Sequence, residues 1–340
     1  MAARIIDIAK AARVSPSAVS LALNNKPGIS AEVRQKIIAI AVDMGYKTAV
    51  NLQSDTNESI TVKLLKIATH GHIVNERHNA FITEYMEGIE AAAKKRGYKL
   101  EVSFFNRVPV EEIIDAHRET IVDGLIILGT ELNAHEVDFF TVLTKPVVFI
   151  DTYFPFSVYD CIDMDNMDGV FKAIQHLYKN GHRNIGLVKG GLATRNFTMR
   201  EFGFREAMDY FSLPVQEKFI ITVDPAYDRA IVDMNKYLKK NSAQPSAFFC
   251  MNDTIAYACM KALKEHNYRI PEDVSIVGFD DLPSSSLPDP PLTTIRVANH
   301  QIGERALEKV VERISSFKES APENILVAGK LVVRDSVKKI

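Results

Sequence analysis

Five polar side chains stand where apolar runs give way to polar text. Asp151 follows Val147–Ile150, Asn196 and Arg200 lie in the segment beyond Val188, Asn252 follows Phe248-Phe249-Cys250, and Asp280 follows Ile276–Phe279. Each apolar run reads as a buried strand, and open α/β sheets bind ligands beyond the carboxyl ends of their strands. The chemistry on offer is hydroxyl recognition. A carboxylate accepts hydrogen bonds from two adjacent hydroxyls, and a guanidinium fork donates to two oxygens. Phe81 and Tyr227 add flat faces suited to stacking on a sugar ring. Structural readings stand beside these: Asp253 as the N-cap of a following helix, Arg200 paired with Glu201 or Asp209, and Asp280 or Asp281 fixing the turn before Pro283.

Signals for other chemistry are weaker. His70, His72 and His78 cluster in sequence without the spacing of a metal site, so no metal or cofactor is expected. Gly190-Gly191 lacks the rest of a phosphate-binding fingerprint and reads as a tight turn. The Pro283-Ser284-Ser285-Ser286 loop has no nucleophile elbow around it. Asp151 and Asp280 could pose as a general acid and base on a carbohydrate, which keeps an enzyme as an alternative, but a non-enzyme is expected.

Alternating elements must hold these residues. Strands are expected at 64–68, 100–104, 124–128, 147–150, 184–188, 219–222, 247–250 and 274–279. Helices are expected from Phe81 to near Gly97 and at 109–118, 135–143, 167–179, 200–211, 227–239, 254–266 and 301–317, before an extended piece at 324–334. About eight β-α units over some 280 residues fit two doubly wound parallel-sheet lobes better than one large sheet.

The first 45 residues read differently. Ile5 to Ala12 is amphipathic at helical spacing, and Arg13-Val14-Ser15 interrupts it. Ser15 can cap a second helix with Pro16 at its first position. Val19, Ala22 and Leu23 face inward there, leaving Ser17, Ala18, Ser20 and Leu21 outside as a small, uncharged surface. Such a face suits close approach to a groove, and two short helices joined by a tight turn are a helix-turn-helix. A third helix, capped by Ser30 and carrying Val33, Ile37, Ile40, Ala41 and Met44, completes a small core.

The run from Ile5 to Tyr46 closely resembles the headpiece of the LacI/GalR family of bacterial transcription regulators. The matches are Asp7-Ile8-Ala9, Ala12, Val14-Ser15, Val19-Ser20, Leu23-Asn24, Gly28, Ser30, Arg34 and Gly45-Tyr46. Further on, Arg200-x-x-Gly203-Phe204, Asn252-Asp253 and Gly278-Phe279-Asp280-Asp281 resemble the family's body motifs, as does Asp151 after its strand. The resemblance implies a periplasmic-binding-protein-like body crossed three times by the chain. It also implies double-stranded operator DNA, a homodimer and a small-molecule effector, most simply a sugar. Arg200, Asp280 and Asp151 would contact the effector, helped by Asn252 and Asn196. A solute-binding receptor on the same two-lobed body is the alternative from another class.

On DNA, Arg4, Lys10, Lys26, Arg34 and Lys36 would hold phosphates, with Asn25 beside them. Ser15, Pro16, Ser17, Ala18, Ser20 and Leu21 would read bases. Many relatives carry arginine where Leu21 stands, and leucine offers only apolar contact, to a thymine methyl or under its own turn. Val297 likewise replaces a polar residue of sugar-responsive relatives. The family's Pro-Asn pair and basic hinge helix are missing from 49–60, where only Leu52 could wedge into a minor groove; a hinge helix and a plain tether both remain open.

The domains expected are a headpiece at 1–48, a linker or hinge at 49–60 and a body at 61–340. One lobe of the body takes about 61–160 plus 292–320, the other about 161–291 plus 321–340. Seven bases against three acids give the first 50 residues a net charge of +4, leaving −6 for the rest of a chain whose total is −2. A basic head on an acidic body fits phosphate binding by the head. Cys161, Cys250 and Cys259 show no redox or metal spacing, and no apolar run reaches membrane-spanning length. Reduced thiols, a cytoplasmic location and no membrane partner are expected.

Overall fold

In the computed structural model, which describes residues 5–23, 28–30, 33–34, 36–37, 40–41, 44, 60–71, 76–316 and 321–340, the chain divides into two units, Met1–Ser59 and Ile60–Ile340. In the first unit, α1 (Ile5–Ala12) ends at Arg13, whose φ of 56° turns the chain toward α2 (Pro16–Leu23). Ser15 caps α2 as expected, its Oγ accepting from Ala18 N at 3.1 Å. A third helix, α3, passes through residues 33–34, 36–37 and 40–41, and Ser30 Oγ accepts from Val33 N at its start. Ile8, Ala12, Val19, Ala22, Leu23, Ile37 and Ala41 form the shared core. Arg4, Asn25, Lys26 and Leu52, with the expected linker up to residue 59, lie outside the described residues.

The body alternates as its apolar periodicity requires. In chain order it contains β1 (Thr61–Ala68), α4 (Glu76–Arg96), β2 (Lys99–Asn106), α5 (Val110–His117), β3 (Gly124–Leu128), α6 (Ala134–Asp138) and β4 (Val147–Ile150). Next come β5 (Asp160–Met164), α7 (Asn166–Lys179), β6 (Ile185–Gly190), α8 (Arg195–Tyr210), β7 (Ile220–Val223) and α9 (Tyr227–Lys240). The remainder is β8 (Ala247–Cys250), α10 (Asp253–Glu265), β9 (Ser275–Val277), β10 (Thr294–Arg296), α11 (Asn299–Ser316), β11 (Asn324–Val327) and β12 (Lys330–Val332). Two wholly parallel sheets result, ordered β11-β5-β4-β3-β1-β2 and β7-β6-β8-β9. An antiparallel ribbon of β10 and β12 joins the second sheet where Gly278 N and Asp280 N donate to Thr293 O and Ile295 O.

The lobe boundaries differ from those read in the sequence. Strand β5 was not expected at all, because Asp160 and Asp163 interrupt its apolar pattern, yet it pairs with β4 in the first sheet. Residues 161–164 therefore belong to the first lobe. The expected extended piece at 324–334 is two strands: β11 pairs with β5, while β12 pairs with β10 on the second lobe. Residues 321–327 thus move to the first lobe and 292–296 to the second. Arg313 of α11 explains the tolerance of Asp160: Nε and Nη2 bind its two carboxylate oxygens at 2.6 and 2.7 Å.

Helices α4 and α11 meet backbone to backbone. A Cβ on Gly303 would lie 2.2 Å from Tyr85 O, and one on Gly88 2.1 Å from His300 O, so only glycine fits at either. This contact fixes the face of α4 that carries Phe81 and Tyr85.

Candidate functional site

The carboxyl ends of β3, β4, β6, β8 and β9 converge on one cavity. Of the seven body residues singled out in the sequence, Phe81, Asp151, Asn196, Arg200, Asn252 and Asp280 line it, joined by Thr130, Thr194 and Phe197. Asp151 and Asp280 follow β4 and the β9 segment with φ of 60° and 113°, a backbone region that side chains other than glycine rarely occupy. Non-glycine residues held at positive φ concentrate at ligand clamps.

The side chains around the cavity hold one another. Asp151 accepts from Tyr85 Oη at 2.9 Å, from Thr130 Oγ1, and from Asn196 Nδ2 at 3.1 Å, which also reaches Asp151 O. Asn196 comes from α8 of the second lobe, so this bond ties the lobes together. Asn166, at the crossing between them, donates to Asn196 Oδ1 at 2.9 Å. Helix α8 starts at Arg195 rather than Arg200 because Thr194 Oγ1 caps it, which puts Arg200 in its second turn, pointing inward. Arg200 donates to Asn166 Oδ1, Met251 O and Met164 Sδ, and its guanidinium lies 3.8 Å from the Phe279 ring centroid. Its Nη1 is 3.2 Å from Asp280 Oδ1. That oxygen nonetheless accepts no well-aligned hydrogen bond.

Burial dominates the electrostatics. It raises the Asp280 carboxyl to about 8 against the pull of Arg200, with Asp253 and Asp151 pushing the same way. Asp151 is raised by burial against its hydrogen bonds from Thr130 and Tyr85. Asp163 is raised well above the usual carboxylate range by burial and by Asp151. The cavity measures only about 30 Å³. Sugar-sized sites need about 300–1,000 Å³, so this closed arrangement must open to admit one.

Three expectations are corrected. Tyr227 does not reach this cavity: α9 packs on α10, and Tyr227 turns into their seam beside Tyr257, Met260 and Leu287. Asp253 is not the cap of α10; Asn252 is, through Oδ1 accepting from Ile255 N at 2.9 Å. Asp253 lies one residue inside and accepts from Leu282 N, Ser285 Oγ and Thr294 Oγ1, and burial raises it to about 6. A Cβ on Gly278 would sit 2.3 Å from Asp253 Oδ1, so glycine makes room for this hub. Third, Arg200 pairs with neither Glu201 nor Asp209, which frees it for the interior. Sequence reasoning missed Tyr85, Thr130, Asp163 and Asn166. Thr130 alone had a readable signal, its place just past β3.

In the headpiece, Ser15, Pro16 and Ser17 are exposed, and Ala18, Ser20 and Leu21 are half-buried. Leu21 leans toward Gly28: a Cβ there would lie 3.3 Å from Leu21 Cδ1. Arg34, expected on phosphate, donates Nη1 to the carbonyls of Leu21 and Ala22 at 3.1 and 3.4 Å, closing the end of α2.

Comparison with known proteins adds the rest. Residues 4–49 match the sequence model of bacterial regulatory proteins of the lacI family, and residues 174–337 match that of a periplasmic binding protein-like domain. The chain belongs to the LacI family of bacterial regulatory proteins. The HTH-type transcriptional repressor PurR of Haemophilus influenzae (strain PittEE) is 29% identical over 348 residues, covering 99% of both chains. The fold of this LacI-family regulator is similar to that of a transcriptional regulator CelR–cellobiose complex (TM-score 0.72, 23% identity, 98% of this chain and 99% of that one). It is also similar to a lac repressor dimer bound to operator and the anti-inducer ONPF (TM-score 0.71, 23% identity, 99% and 100%). A member of this family is a transcriptional regulator and not an enzyme, which removes the acid–base reading of Asp151 and Asp280. No helix among the described residues is long and apolar enough to cross a membrane.

Proposed function

We propose that this LacI-family protein is a repressor that grips operator DNA as a homodimer and whose operator affinity is set by a sugar-like effector closing between its two lobes. The observation that carries the reading is the Asp151–Asn196 bond, which joins the lobes inside a cavity walled by Asp280, Arg200 and Phe81. Any ligand that replaces this bond with its own hydroxyls changes the balance between open and closed lobes. A coupling of about 1–3 kcal/mol to DNA affinity is ordinary for such a switch. The structural neighbour solved with cellobiose, and the operator-bound lac repressor dimer, support the effector class and the pairing of subunits.

Residues 1–48 serve as the DNA-binding headpiece, 49–60 as linker and 61–340 as the effector-binding body. Ser15, Pro16, Ser17, Ala18, Ser20 and Leu21 meet base edges, and the exposed Lys10 and Lys36 meet phosphates. Arg34 contributes by fixing α2. Phe81, Asp151, Asn196, Arg200, Asn252 and Asp280 hold the effector.

A thermal-shift panel of sugars, sugar phosphates and nucleobases, followed by operator titration with each hit, tests the reading. A sugar that shifts both melting and operator affinity supports it, and a nucleobase doing so alone would replace the sugar. Removal of residues 1–48 should abolish operator binding and leave the hit's affinity unchanged.

A further inference from the structure

The body encloses more negative charge than its neighbours neutralise. Asp151, Asp163 and Asp280 are 3%, 0% and 5% exposed, and Asp253 stands behind Asp280, itself fully buried. Against these four carboxyls the described residues place two guanidinium groups. Arg200 donates through Nε, Nη1 and Nη2 to Asn166, Met251 and Met164 and is the near counter-charge of Asp280, 3.2 Å away, but one guanidinium cannot balance the other three carboxyls. Arg195 lies over the Tyr153 ring, 4.3 Å from its centroid, and donates Nη2 to Tyr153 Oη. Tyr85, which donates to Asp151, and Tyr257, near Asp253 and Asp280, add no positive charge, and the neighbouring Asp281 is held by Arg296 and Arg334.

Two oxygens in this cluster have no hydrogen-bond partner: Asp280 Oδ1, on a cavity-lining residue, and Asp163 Oδ2, on a buried residue outside the lining that feels the charge of Asp151. Buried carboxylates that lack an aligned donor and outnumber their counter-charges are expensive, and they take up protons instead. A neutral polyol can donate to the free oxygens but leaves the charge uncompensated. An anionic sugar acid or sugar phosphate would add to it. A cation supplies both the donor and the missing charge, and the Phe81 ring on the cavity wall offers it a π face.

We propose that the effector is a small polyhydroxylated molecule bearing a protonated amine, with its ammonium group between Asp151 and Asp280 against Phe81 and the nearby Asp163 reinforcing the preference for positive charge. This rests on the effector-gated, sugar-like reading and names the ligand's charge. Asp163 lines no part of the cavity and is a positioning residue that acts through its field. Binding such a cation strips protons from the carboxyls that burial holds protonated, so the complex forms with net proton release. A neutral sugar has no reason to release them.

The test is calorimetric titration of the full-length protein at about pH 7 with glucosamine, galactosamine and mannosamine, with the three parent hexoses, and with the three N-acetyl derivatives, in two buffers of different ionisation enthalpy. The expected result is one hexosamine binding about ten-fold or more tighter than its parent hexose and its N-acetyl derivative, with proton release. In Asp163→Asn, a near-isosteric change, that preference should shrink while parent-hexose affinity holds. Binding of a hexose equal to that of its amine, or amine binding without proton release, would overturn the charge assignment alone. Silence from all nine compounds would overturn it together with the sugar-like reading.

Discussion

Arg200 Nη1 stands 3.2 Å from Asp280 Oδ1, one residue from the middle of α8 and the other from the turn after β9, both nearly sealed from solvent. The guanidinium is aimed elsewhere, at Asn166, Met251 and Met164, and the carboxylate oxygen accepts no aligned hydrogen bond. The pair is therefore a charge contact awaiting a third partner, and the cavity beside it is where that partner would enter.

Arg200→Ala should weaken effector binding by about 2–5 kcal/mol, the range for truncating one member of a buried charge pair. It should also lower the melting temperature, since Asn166 loses a donor and Asp280 its counter-charge. Operator affinity without effector should be unchanged. Loss of operator binding in a variant that still melts cooperatively would misplace the effector site.

Stability should fall as pH rises. A carboxyl whose folded pKa is raised stabilises the fold fully below its unfolded value, near 3.8 for aspartate, and that contribution disappears as pH climbs through the folded value. Asp253, at about 6, and Asp280, at about 8, place the window between roughly pH 4 and 8. Melting scans across this window should show a declining midpoint, and Asp280→Asn should flatten its upper half. Identical profiles for the two proteins would remove Asp280 as the source.

Asp253→Ala should disturb the fold more than the ligand. Its carboxylate holds Leu282 N, Ser285 Oγ and Thr294 Oγ1, and removal strands three donors at a cost of about 3–5 kcal/mol. Denaturant melts should record that loss. At a temperature where the variant stays folded, effector affinity should lie close to that of the parent protein.

Ser15→Ala removes the cap of α2 and should destabilise the headpiece by about 1 kcal/mol. The headpiece core is small, so the change should appear as weaker operator binding with effector affinity intact. An unaltered operator titration curve would mean that the cap is dispensable.

Much of the fold is legible in the sequence, and the places where it is not have definite causes. Strands 124–128, 147–150 and 247–250 were read at their observed limits because each is an uninterrupted apolar run buried on both faces. Strand β5 was missed because Asp160 and Asp163 sit inside it, one matched by Arg313 on a helix some 150 residues away and the other enclosed without a partner for Oδ2. No local pattern announces a carboxylate whose partner is that distant. Tyr227 was assigned to the cleft on ring chemistry alone, whereas the packing of α9 on α10 decides where it faces. Either Asn252 or Asp253 could cap α10 on sequence grounds, and only the tertiary contacts of Asp253 settle that Asn252 does so while still lining the cavity.

The most direct measurement is operator affinity of the full-length protein by fluorescence anisotropy, with and without a saturating effector from the sugar and amino-sugar panel, in the parent and in Arg200→Ala. The expected result is a change of about five-fold or more in the parent, from a coupling of about 1 kcal/mol or above, and none in the variant, with equal effector-free affinities. An effector that changes operator affinity equally in both proteins would contradict control through the Arg200–Asp280 cavity.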